Sequence, residues 1–348
     1  MKTIETVTSD RWQVTRTGSR LAHRATCLPC RSVAKAGHVS RVTRAAFTLI
    51  EILVVVVLMS LIVLALMAVF NTTQAAFRAN LTQTDVLEGG RAAMGLIKSD
   101  FESMATSFGQ SNQPAANGYS TVPVNFYANP NQFQYQSQIY PLVQSLTGSG
   151  YLRTNVLEEF FILTRQNTMW TGVGYVVDTT SANSINPLYR FSISTNVMVP
   201  NAPAMLYNNF LTNLPAYTGL PISPANPNMS HLMDGVVHLT VRAYDPNGYW
   251  MTNTYPSYSF YNGQITTTNN NVYFPPATLG EAGFYMFSNT LPASVEIQLG
   301  LLEDRTLQRT ESIPDSFTRS NYLAQHAAQV HLFRQRILIR NVDPSAYQ

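Results

Sequence analysis

The apolar positions of this chain follow three patterns in succession. In residues 47–70, FTLIEILVVVVLMSLIVLALMAVF, only Thr48, Glu51 and Ser60 are polar. About 20 helical residues cross a bilayer core, so this run is long enough to span one. Next, Leu87, Met94, Ile97, Phe101, Met104 and Phe108 recur at spacings of seven, three, four, three and four. That is the period of one helix face, so 71–110 reads as an amphipathic helix packed on the rest of the chain. Gly89-Gly90 falls inside it and predicts a bend or a break.

Strand-like runs come third, at 159–164, 173–177, 188–193, 236–244 and 295–299, the last two alternating. They predict a mainly antiparallel sheet with one face packed on the helix. Asp245-Pro246-Asn247-Gly248 supplies a turn after the longest run. The stretches 111–150, 196–230 and 251–289 are rich in Asn, Gln, Ser, Pro and Tyr and nearly free of charge. They read as long loops, with enough aromatics to resist full disorder. In the tail, Tyr322, Ala324, Ala327, Ala328, Val330, Leu332 and Phe333 predict a helix capped at Asp315 or Ser316. Residues 333–340, FRQRILIR, then alternate as an edge strand would, and Arg334, Arg336 and Arg340 could meet acids of a neighbouring subunit. The expected fold class is α+β: a long N-terminal helix, transmembrane in its first half, on an antiparallel β-rich head spanning 111–348.

Charge orients this plan. Nine of the 22 basic and two of the 19 acidic residues precede Phe47, and the first charge after Phe70 is Arg78. Such an excess marks the N-terminal side as cytoplasmic and places the head across the membrane. Beyond residue 46 there remain 13 basic and 17 acidic groups, a net −4. The basic character of the whole chain therefore belongs to residues 1–46 and argues against nucleic-acid binding. Both cysteines, Cys27 and Cys30, lie there too. A single CxxC cannot complete a tetrahedral zinc site.

Arg44-Ala45-Ala46-Phe47-Thr48-Leu49-Ile50-Glu51, after a basic leader and before an apolar helix, resembles the class III signal of type IV pilins and type II secretion pseudopilins. The family usually has Gly where Ala46 stands. The resemblance implies that 1–46 is a cleaved leader, cut between Ala46 and Phe47 by a prepilin peptidase that also N-methylates Phe47. It implies a single-pass protein of the bacterial inner membrane with a periplasmic head. The implied partners are other pilins or pseudopilins and an inner-membrane assembly platform.

Shorter matches in collinear order resemble the J-type minor pseudopilin: Asp100-Phe101 at a helix end, residues 159–165, Val173-Gly174-Tyr175, Leu188-Tyr189-Arg190, residues 236–244 followed by Gly248-Tyr249-Trp250, and residues 291–297. In this reading Glu51 directs assembly. A carboxylate in an apolar span costs roughly 2.5–3.5 kcal/mol on insertion scales. The amino group created by cleavage at Phe47 of a neighbouring subunit would neutralise it.

No catalytic, cofactor or metal motif appears. His231 and His238 lack the spacing of a helical metal pair, and neither a GxSxG elbow nor a phosphate loop occurs. The expectation is a structural protein. The alternative is a membrane-anchored surface-binding protein, its Tyr- and Asn-rich loops on a ligand and no filament formed.

Overall fold

The computed structural model describes residues 48–110, 114, 118–130, 142–145, 152–181, 184–252, 258–261, 264–267, 271–275, 283–326 and 330–347. The leader and Phe47 lie outside them. The chain divides into two units, residues 1–64 and 65–348.

The described part of the first unit is the opening of helix α1 (Leu49–Glu102). Thr48 caps it. The Thr48 N–H and hydroxyl donate to Glu51 Oε2 at 3.0 and 3.1 Å, and the Glu51 N–H donates to Thr48 Oγ1 at 3.4 Å. This reciprocal pair is a capping box, which satisfies donors that a helix start leaves open. Leu49–Arg78 is long and apolar enough to cross a membrane: its most apolar 18 residues have mean hydropathy 3.3, and none of the segment is buried.

In the second unit α1 continues to Glu102, and its buried face joins one of the two cores formed by the described strands and helices. The strands are β1 (Val124–Pro130), β2 (Leu142–Ser145), β3 (Leu152–Asn155), β4 (Glu158–Gln166), β5 (Met169–Val177), β6 (Leu188–Asn196), β7 (Met229–Met233), β8 (Val236–Tyr244), β9 (Tyr258–Tyr261), β10 (Gln264–Thr267), β11 (Val272–Tyr273), β12 (Phe284–Phe287), β13 (Ser294–Leu302) and β14 (Val330–Leu338). Helices α2 (Ala202–Thr212) and α3 (Pro215–Thr218) follow β6; α4 (Asp304–Glu311) and α5 (Ser316–Gln325) follow β13. A seven-stranded sheet has the order β11-β12-β1-β4-β5-β6-β7, a three-stranded sheet the order β14-β13-β8, and β2–β3 and β9–β10 form two-stranded sheets. All these strand pairs are antiparallel.

Alternation along the strands sorts two cores. Phe160 and Ile162 of β4 join Ile97 and Phe101 of α1 in one cluster, together with Val241, Ile297 and Ile337 from the small sheet. Phe161 and Leu163 lie in the other, with Leu206, Tyr207 and Phe210 of α2. The large sheet is thus covered on both faces, not on one as its strand pattern suggested. The second cover, α2, falls within 196–230, which reads as loop. Its stripe is short: Ala202, Leu206 and Phe210, with Tyr207 and Leu211 beside it, are buried among exposed or half-buried asparagines. Gly174 of β5 lets α2 approach, since a Cβ there would run into the Phe210 ring.

Three further expectations are corrected. First, β1 and β12 lie within 111–150 and 251–289, both read as loop, yet β1 is a buried inner strand of the large sheet. Phe126, Tyr127 and residues 284–287 supply the aromatic character that outweighs the flanking Asn and Pro. Second, α1 ends at Glu102 rather than reaching 110. Third, the tail helix stops at Gln325, and Val330, Leu332 and Phe333 belong to β14. The predicted cap is present there: Asp315 accepts a hydrogen bond from the Thr318 N–H at 2.7 Å.

Candidate assembly site and the anchorage of α1

Glu51 is the one acid of the apolar segment and lies in the first turn of α1. That position suits a carboxylate, because the N-terminal end of a helix carries partial positive charge. Its partner among the described residues is Thr48. Capping therefore gives Glu51 a role within a single chain that spacing arguments about a neighbour's amine had not disclosed. Ala46 and Phe47, the expected cleavage and methylation positions, lie outside the described residues.

The expected packing stripe is largely in place. Met94, Ile97, Phe101 and Met104 are buried and Leu87 is half-buried, while Val86 and Ala93 extend the face. Phe101 stacks on Phe160 and meets Phe126 edge-on, each ring pair 5.5 Å apart. Met104 is past the helix end, bridged to Thr164 of β4. Phe108 is the exception: it is 73% exposed with φ of 53°. The chain has already left the helix there, so the 3.6-residue period no longer places it on the stripe.

Gly89-Gly90 does not break α1. A Cβ at Gly90 would run into the Phe333 ring of β14. The residue thus trades helix propensity for close approach.

Asp100 sits inside this apolar stripe. It accepts from Arg190 Nε at 2.8 Å and Nη2 at 2.9 Å, and from the Tyr175 hydroxyl at 2.5 Å. Arg190 and Tyr175 come from β6 and β5, whose register places them directly opposite each other. The two-pronged geometry uses the fixed fork of the guanidinium. Hydrogen bonding to Asp100 raises the Arg190 pKa, and burial, then the Asp100 charge, holds the Tyr175 hydroxyl far above its ordinary range. Tyr175 therefore stays a donor. The residues were visible in sequence as separate short matches; their convergence was not.

On the α2 side of β4 lies a second polar centre. Glu159 is buried, and its Oε1 accepts from the Tyr127 hydroxyl at 2.8 Å. Its Oε2 has no hydrogen-bond partner among the described residues. Burial pushes the carboxyl up to about 7, against the opposing pull of the Tyr127 hydrogen bond. Tyr207 and Tyr285 flank Tyr127 at ring separations of 5.5 and 4.8 Å. Burial raises both hydroxyls, Tyr285 to about 12. An uncharged Glu159 suits this setting, because an ionised carboxylate would be desolvated with half its acceptors idle.

Among the described residues no group of three or more His, Cys, Asp or Glu is arranged to hold a metal ion. His231 pairs with Asp234 at 3.0 Å, whereas His238 Nδ1 accepts from the Val156 N–H at 3.2 Å. The Asp245–Gly248 segment is a turn, closed by Gly248 N–H to Asp245 O at 3.0 Å with Gly248 at φ 85°. No protein-family model, no curated protein and no solved structure matches the chain.

Proposed function

We propose that this chain is a minor pilin or pseudopilin, similar to the J-type subunit of type II secretion. It would be inserted in a bacterial inner membrane, cut between Ala46 and Phe47 and N-methylated at Phe47. Its head would stand in the periplasm, and the subunit would be built into a short filament or its tip complex. Its partners in this reading are other pilins or pseudopilins, the processing peptidase and the assembly platform. The work is mechanical.

One observation carries the reading. A single carboxylate, Glu51, occupies the first turn of an apolar helix with no buried residue, immediately after Phe-Thr-Leu-Ile. Capping accounts for an acid there within one chain, but not for its place directly after Phe-Thr-Leu-Ile behind a basic leader. A filament of staggered helices accounts for that place, because each carboxylate can meet the amino terminus of an adjacent copy. The head supports the same reading through Asp100 and the buried face of α1, which tie the second half of the helix to the sheets.

Glu51→Val, expressed with the partner subunits in cells, should insert and be cleaved normally yet fail to enter filaments. Normal incorporation of Glu51→Val would refute the role.

A further inference from the structure

β14 is the edge of the three-stranded sheet. It pairs with β13 over nine residues, from Val330 opposite Leu302 to Leu338 opposite Ser294, and with no other strand among the described residues. A free edge of this length presents a row of unpaired backbone donors and acceptors, which is a template for an added strand.

The side chains of β14 divide by parity. Ile337 is buried and Phe333 packs with the core cluster. On the other face Leu332, Arg334, Arg336 and Leu338 are exposed, so two guanidinium groups sit between two apolar residues. Arg334 donates to Glu296 Oε2 at 2.8 Å, and Arg336 donates from Nε to Ser294 Oγ at 2.9 Å while its guanidinium lies 4.2 Å from the Tyr244 ring centroid. A guanidinium has five N–H donors. Each arginine uses one of them toward β13, and the rest of its fork has no hydrogen-bond partner among the described residues.

Pairing of β14 with a second copy is disfavoured. The antiparallel register that sets Leu332 opposite Leu338 also sets Arg334 opposite Arg336, twice, and like charges directly opposite each other repel. An added strand with acids opposite both arginines and apolar residues opposite both leucines satisfies every position.

We propose that the free edge of β14 is a strand-addition site for an extended acidic segment of another protein, with carboxylates two residues apart flanked by apolar side chains. Backbone hydrogen bonds along the edge would supply affinity, and Arg334 and Arg336 would set the register and exclude uncharged strands. This does not depend on the filament reading; a surface-binding protein could use the same edge.

The probe is a labelled peptide, leucine–threonine–glutamate–threonine–glutamate–threonine–leucine, titrated by fluorescence anisotropy into the full chain in non-ionic detergent. Saturable binding is expected. It should weaken at least tenfold when both glutamates become glutamine, and similarly for Arg334→Gln/Arg336→Gln protein with unchanged circular dichroism. A peptide N-methylated on alternate edge-facing amides should not bind. The proposal is overturned if no saturable binding occurs to the folded chain. It is equally overturned if the N-methylated peptide binds as well as its parent, or if the glutamine peptide does. Self-association of the chain in sedimentation, lost in Arg334→Gln/Arg336→Gln, together with no binding of the peptide, would assign the edge to a second copy and overturn the acidic partner.

Discussion

Asp100 on α1 and Arg190 on β6, ninety residues apart in sequence, share two hydrogen bonds of 2.8 and 2.9 Å. A carboxylate in the apolar stripe of a helix is costly unless paired, and this pair turns the cost into positional information. A two-pronged ion pair fixes the rotation of α1 against the sheet, which apolar contacts alone leave soft. Asp100→Asn should destabilise the head by about 3 kcal/mol in chemical denaturation, because a partly buried guanidinium loses its counter-charge. Arg190→Lys should recover little of the interaction, since an ammonium cannot fork. Asp100→Asn/Arg190→Met should cost less than the two single changes summed. Strict additivity would mean that the pair is not coupled.

Glu159 gives the head a pH dependence. Its carboxyl lies at about 7 in the folded chain against an ordinary 4.5. Between those values the folded state holds a proton that the unfolded state has released, so stability from this group falls as pH rises through the window and levels off above about 7. The span corresponds to about 3 kcal/mol. Glu159→Gln should flatten the dependence of the unfolding midpoint between pH 4.5 and 7 and be the more stable variant at pH 8. An unchanged slope in Glu159→Gln would place the titrating group elsewhere.

Two glycines of one helix should respond oppositely to the same change. A Cβ at Gly95 has no atom within 4 Å, whereas one at Gly90 collides with Phe333. Gly95→Ala should stabilise by about 0.5–1 kcal/mol, the gain in helix propensity. Gly90→Ala should lose about 1–3 kcal/mol to overpacking. Thermal denaturation of the two variants side by side decides this; equal gains would show that α1 does not press on β14.

Thr48 separates the two roles open to Glu51. Thr48→Ala removes the capping hydroxyl while the residue-48 N–H still donates to Glu51; it should weaken the helix start by about 1 kcal/mol and keep the carboxylate in place to meet another subunit. In the filament reading, Thr48→Ala assembles while Glu51→Val does not, as scored by co-purification with partner subunits. If both fail equally, capping is the whole function of Glu51.

How far the fold could be read in advance depended on how local its cause was. β8 matches its alternating run end to end, and β4, β5, β6 and β13 contain the strand-like runs read for them, because apolar and aromatic residues recur there without a break. β1 and β12 were hidden by Asn and Pro around short aromatic cores. α2 was hidden because its buried stripe alternates with asparagines that are polar without being charged. The end of α1 was overrun by eight residues, 110 against Glu102, because Met104 and Phe108 happen to keep helical spacing after the backbone has turned away. In the tail, Val330, Leu332 and Phe333 fit a helix by spacing, but pairing with β13 claims them for a strand. The Asp100–Tyr175–Arg190 contact was least legible, since its members come from three elements and only strand register brings two of them opposite each other.

The central claim is tested most directly by mass spectrometry of the chain recovered from the membranes of its own cells. The account predicts a polypeptide that begins at Phe47 and carries one added methyl group on its terminal nitrogen. Recovery of a chain that still bears residues 1–46, or that begins at an unmodified residue elsewhere, would contradict it.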